Sequence, residues 1–349
     1  MLKRLIRDLV DRLDRVLLPA AASGGLIASA YYLLASRQFR REHRAVLAGR
    51  LAYYRGLEQS LHSSPLLRRN VHRLEKGLVM QPRAPVFAED YIEETVAEFA
   101  RLHATSALDA AERKWAADVL CDYFAAVVDT PRIARARAEF AAVPQTVAAG
   151  NGARSVPQPR ATWPEASVSY EQFMALCRRR RSVRWFEQRP VPRALVMQAV
   201  AAAAQAPSAC NRQPFLFRYF ADAAAARYVA GLAMGTAGYG DNIPALVVVL
   251  ADLSCYPEER DRHVAYIDAA LASMQFMLAL ETLGLASCPI NWPDIEQRER
   301  LMARELELPW HVRPVMLLAI GYADPAGGVP YSAKKPAEAL LRERNDYRP

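Results

Sequence analysis

Two short runs concentrate the side chains able to hold a phosphorylated molecule with a polar middle and a flat ring. Arg180-Arg181-Ser182-Val183-Arg184-Trp185-Phe186 gathers guanidinium groups and one hydroxyl just past an amphipathic stretch. A guanidinium is planar and permanently charged, and it grips phosphate through two parallel hydrogen bonds. The second run is Ala206-Pro207-Ser208-Ala209-Cys210-Asn211-Arg212-Gln213-Pro214, small and amide residues bracketed by two prolines. Amides both donate and accept, which suits a polyol or the edge of a heteroaromatic ring. Each run alone has a plainer account. A basic run complements the dipole at a helix end, and a Pro, Ser and Asn loop simply joins helix to strand.

Taken in order, the two runs resemble the FMN-dependent nitroreductase family, and the resemblance extends over roughly residues 170–345. It implies that Arg180, Ser182 and Arg184, an R-x-S-x-R pattern, hold the FMN phosphate and ribityl chain, with Arg181 beside the pyrimidine end. It implies that Pro207, Ser208, Asn211 and Gln213, within P-S-x-x-N-x-Q-P, reach the flavin across a homodimer interface. Tyr266 to Phe276 resembles the central dimer helix. Gly284 to Trp292 matches the segment, here Pro289, Ile290 and Asn291, that offers a backbone N–H to flavin N5, where a donor stabilises developing negative charge. Many relatives carry glycine where this chain has Asn291-Trp292, and Trp292 is expected to wall the substrate pocket instead. Lys334, with Lys335 as alternate, matches the basic residue that returns to the phosphate. The implied activity is two-step hydride transfer from NADH or NADPH, through FMN, to a small organic acceptor. No side-chain acid or base is named. A specialised flavin reaction, and a membrane-associated scaffold with little turnover, stay open beside it.

Gly235-Thr236-Ala237-Gly238-Tyr239-Gly240 lacks a preceding strand and opens no helix, so it reads as a loop or lid rather than a dinucleotide fingerprint. Asn70-Val71-His72-Arg73-Leu74-Glu75-Lys76-Gly77-Leu78 resembles an H-x-x-E-K-G-L element of a nitroreductase-like subgroup with a helical extension. His72 and Glu75 lie one helical turn apart and can face a common ligand. The plainer account is a helix end with Gly77 just past it, at C′.

The elements that must position these residues follow from apolar periodicity. Helices are expected over 37–62, 89–104, 108–128, from Ser169 to Leu176, from Pro192 to about Gln205, over 262–283 and over 295–305. Strands are expected at Phe215–Phe220, Leu246–Ala251, Ser287–Ile290 and Val315–Ile320. Helices and strands mix without regular βαβ spacing, which favours an α+β fold: a nitroreductase-like mixed sheet flanked by helices, preceded by an all-helical domain. The expected division is 1–150 helical domain, 151–165 a Pro-, Gly- and Ser-rich linker, and 166–349 FMN-binding domain.

The net charge of +8 is concentrated early, since residues 1–76 hold 15 Lys and Arg against 6 Asp and Glu. Residues 2–17 carry an apolar stripe at helical spacing opposite basic and acidic residues, and Val16 to Ser36 is uncharged. Packing within the protein and peripheral contact of residues 1–36 with an anionic membrane surface both fit this pattern. A transmembrane span fits poorly with Pro19, Gly24, Gly25 and many alanines. Aromatics are not interleaved with the arginines, so nucleic acid is not expected as a partner. The five cysteines form no C-x-x-C and read as reduced thiols of a cytoplasmic protein, and the six histidines have no ligand spacing, so no metal is expected.

Overall fold

The computed structural model describes residues 16–36, 38–59, 61–144 and 154–343. The sheet comprises β1 (Phe215–Phe220), β2 (Ala245–Asp252), β3 (Ala286–Asn291) and β4 (Val312–Gly321), in the order β1-β2-β4-β3. All its pairings are antiparallel, with a register shift between Val249 and Leu250. A parallel bridge from Ser182 to Ser287 adds the one component of opposite sense seen among the described residues.

Ala245 to Ala251 is buried without interruption. Successive strand side chains point to opposite faces, so such a run needs cover on both. Val247 and Val249 pack on one side with Ala269, Ala272 and Phe276 of α10 (Val264–Thr282), and with Val196 and Ala199 of α8 (Arg193–Ala203). Leu246, Val248 and Leu250 pack on the other side with Ala226 and Val229 of α9 (Ala223–Leu232) and Met302 of α11 (Glu296–Glu305). Among the described residues the helical stretch Glu259–Thr282, which contains α10, is long and apolar enough to cross a membrane by length and composition, but α10 packs as the core helix of this layer.

The helices before the sheet divide by packing. α2 (Arg40–Gly56) joins the sheet core: Ala45 is fully buried there, and Gly49 lies so close to Leu253 that a Cβ would meet its Cβ at 2.8 Å. Its Arg41 reaches Glu299 of α11 at 2.8 Å. α3 (Pro65–Leu78), α4 (Ile92–Thr105), α5 (Ala110–Ala126) and α6 (Pro131–Ala142) enclose a separate core with Leu67, Leu74, Phe99, Leu120 and Tyr123. Local chemistry sets their starts. Ser64, Asp109 and Thr130 accept from first-turn N–H groups, and Pro65 and Pro131 occupy early positions where no N–H is needed.

Gly77 is not a C′ glycine. It lies inside α3, where a Cβ would stand 2.2 Å from the Phe87 ring, so the residue is small because a ring packs on it. The uncharged stretch is not one helix either. Helical residues 16–21 stop at a turn before α1 (Gly25–Leu34), which at about 1.5 Å per residue is far too short to cross a bilayer. Most of the expected helix at 2–17 lies outside the described residues. α7 (Tyr170–Arg179) opens with the expected Ser169 cap, in a capping box with Gln172.

Candidate functional site

The arginine run begins where α7 ends and crosses to β3. Val183 donates its N–H to the Ser287 carbonyl at 3.0 Å, fixing the chain beside the sheet edge. The four basic residues then take different roles. Arg179 pairs with buried Glu281, 3.4 Å away near the C-terminal end of α10. Arg181 donates to the Pro330 carbonyl at 2.6 Å and to that of Tyr331, so its guanidinium ties down the C-terminal tail. Arg180 forms no ion pair among the described residues, and its buried Nε has no partner. Arg184 bonds only weakly to the Ser182 carbonyl, at 3.5 Å, and lies 5.6 Å from the Tyr239 ring centroid. Arg180 and Arg184 thus keep donors free for an anion. Ser287 Oγ beside them is buried and also unpartnered. An orphaned donor and two guanidiniums without an ion pair among the described residues fit a phosphate-bearing group.

Burial moves the titratable groups nearby upward from their ordinary values. Burial raises the Cys288 thiol despite Arg184, and Tyr239, buried next to that thiol, is pushed up to about 12. Glu281 is raised by burial, opposed by Arg179 and Arg180. Trp292 is buried in the sheet core, and its indole N–H donates to Glu299 at 2.5 Å. The expectation that it walls an open pocket is therefore corrected: the side chain is a core anchor. Pro289, Ile290 and Asn291 lie on β3 opposite Leu318, Leu317 and Met316, with Asn291 exposed at the strand end. Lys334 and Lys335 are exposed in the extended tail and make no hydrogen bond or ion pair among the described residues.

The amide loop is built on backbone conformation. Cys210, Asn211 and Gln213 all adopt left-handed φ, at 51°, 53° and 50°. Outside glycine each such residue costs about 1 kcal/mol or more, so neighbours must hold it. Ser208 Oγ accepts from the Gln213 N–H at 3.1 Å, and Asp268 accepts from the Ala209 N–H at 3.0 Å and from Tyr256 OH at 2.9 Å. Burial raises Asp268, against hydrogen bonds from Tyr256 and Ala209. Arg212 is buried over the Tyr256 ring, so it belongs to the support, while the Gln213 amide reaches Asn211 Oδ1 at 3.2 Å. The same loop is met from the helical unit: Arg68 Nε donates to the Asn211 carbonyl at 2.7 Å. The sequence pointed to neither Arg68 nor Asp268.

Within one chain the two runs stand apart. The loop is tied to Asp268 near the start of α10, and the arginine run lies by Glu281 near its end. At about 1.5 Å per residue the thirteen steps from Asp268 to Glu281 span about 20 Å.

The nitroreductase family model matches residues 177–241 and 233–322. Residues 177–322 form a nitroreductase family domain. The chain is 29% identical over 194 residues to the NADH dehydrogenase of Thermus thermophilus, covering 47% of this chain and 92% of that protein. Among solved structures it is similar to B. megaterium NfrA1, at 25% identity and TM-score 0.44 over 50% of this chain and 75% of that one. It is also similar to an FMN-dependent nitroreductase from Clostridium difficile R20291, at 20% identity and TM-score 0.41 over 50% of this chain and 99% of that one. The domain is an oxidoreductase of nitroreductase type.

Proposed function

We propose that this nitroreductase-type domain binds FMN in a site shared by two copies of the chain, and uses it to reduce a small organic acceptor with NADH or NADPH. The observation that supports the reading is that the amide loop and the arginine run are tied near opposite ends of α10, at Asp268 and Glu281. Along α10, Ile267, Leu271 and Met274 are 56%, 45% and 40% exposed, an apolar stripe at helical spacing. A two-fold axis perpendicular to α10 would cover this stripe with its own copy, antiparallel. Each amide loop then meets the partner's arginine run.

When bound, FMN supplies the redox chemistry. The chain's own residues hold and orient it. Arg180 and Arg184 neutralise the phosphate, Ser182 offers a hydroxyl, and the Asn211 and Gln213 amides present donors and acceptors to the ring. Within residues 289–291 the candidate N–H donors are Ile290 and Asn291, since Pro289 has no N–H. The name of the Thermus relative supports a nicotinamide donor. In the test, heating the purified yellow protein releases FMN, not FAD, and the flavin sediments with a dimer. A colourless protein that FMN cannot reconstitute overturns the reading.

A peripheral membrane role for the early segment is favoured by the exposure of α1 and the helix before it. Leu26 is 89%, Leu34 79% and Val16 75% exposed. Full-length protein is expected to co-sediment with anionic vesicles, and salt or deletion of residues 1–36 to reduce this. Absence of vesicle binding under all conditions rejects that role.

A further inference from the structure

We infer that the helical unit α3–α6 is a clamp on the 207–213 loop, with Arg68 as its positioning residue. The inference rests on the reading of that loop as part of the flavin site. Three left-handed residues within four positions need outside support beside the loop's own bonds from Ser208 and Ala209, and Asp268 grips only the Ala209 N–H. Arg68 grips the middle of the loop, at the Asn211 carbonyl. It thereby fixes the peptide between Asn211 and Arg212, on whose orientation the two amide side chains depend.

Arg68 is itself held at several points. Its Nη1 donates to Glu112 at 2.8 Å. Glu112 is nearly buried and accepts further from Ser63 Oγ at 2.7 Å and the Ser64 N–H at 3.0 Å, so the carboxylate cannot swing away. The guanidinium lies 5.4 Å from the Trp115 ring centroid, within cation–π range. Trp115 is oriented in turn by its indole N–H, which donates to Glu75 Oε1 at 3.0 Å, while His72 Nδ1 stands 3.5 Å from Glu75 Oε2. His72 and Glu75 of the H-x-x-E-K-G-L element therefore turn to each other and to Trp115. They brace the tryptophan that packs on the arginine that holds the loop. This gives the helical unit a task in a site it does not itself line.

The geometry distinguishes a clamp from a merely structural ion pair. A lysine at position 68 can satisfy Glu112, but one ammonium lacks the forked reach to donate to Asn211 at the same time. Full-length wild type, Arg68→Lys and Arg68→Ala are compared by amide hydrogen exchange at residues 208–213 and by FMN titration. Arg68→Lys is expected to keep the α3–α6 amides protected while exchange in the loop rises about tenfold, the loss of one net hydrogen bond, with a matching loss of FMN affinity. Arg68→Ala is expected to loosen the loop at least as much. Wild-type loop exchange in Arg68→Lys overturns the inference, as does an Arg68→Ala variant that loosens α3–α6 alone. If the protein takes up no FMN at all, the flavin reading fails separately, and the exchange measurement still decides the clamp.

Discussion

The two halves of the proposed site differ in physical character. The arginine half is electrostatic. Its value lies in what stays unpaired: Arg180 and Arg184 keep free donors, while Arg179 and Arg181 on either side of Arg180 are spent on Glu281 and on tail carbonyls. The loop half is conformational. Its value lies in how much is paired, with Asp268, Ser208 and Arg68 all holding a backbone that would otherwise relax. The first is open to damage by removing a charge, the second by removing a support several residues away. Neighbouring residues of one type are thus not equivalent, and distant residues of different type serve one end.

That contrast is broken most directly at the arginines. Arg180→Ala or Arg184→Ala is expected to weaken FMN retention by about 1.5–3 kcal/mol, one to two orders of magnitude, because each removes a charge-assisted contact to phosphate. Fluorescence titration of the reconstituted protein measures it. Arg178→Ala, at an exposed helix end, serves as the reference and should stay within about 0.5 kcal/mol of wild type. Equal small effects at all three positions would reduce the run to a solvated helix end.

A smaller effect tests the loop half. Burial raises Asp268, so the folded protein binds that proton more tightly than the unfolded chain does. Its contribution is then most favourable below the ordinary carboxylate value, about 4, and is lost as pH rises through the native value. Asp268→Asn retains an acceptor for Ala209 and Tyr256 but does not ionise. Urea midpoints should therefore shift in favour of the variant as pH rises across that interval, then level off, with only a modest change in FMN affinity. A difference independent of pH would mean that Asp268 carries no buried charge worth relieving.

Local chemistry was legible in the chain. The boundaries of β1, the Ser169 cap and the buried runs of β2 and β4 follow from periodicity, capping residues and β-branched content, which act within a few neighbours. α6 and α9 were not anticipated, although Thr130-Pro131 and Asp222 mark their starts. Both helices are short, and their buried faces, Ile133, Ala136 and Phe140 in α6 and Ala226, Val229 and Ala230 in α9, offer few large apolar residues to mark the period. Gly77 was misread because a helix-ending glycine and a glycine that admits a ring look alike until Phe87 is in place.

The sequence by itself determined which residue types are available: a cluster of guanidiniums, a loop of amides, and an α+β succession able to carry them. Those properties are covalent or local, and they survive in any register. The tertiary structure alone decided which arginines remain free, that Trp292 turns inward to Glu299, and that α2 serves the sheet while α3–α6 form a core of their own. It alone placed Arg68 on Asn211, 143 positions later in the chain. Such contacts depend on the relative placement of whole elements, which is fixed by burying apolar surface between them, and no short window of sequence contains both partners.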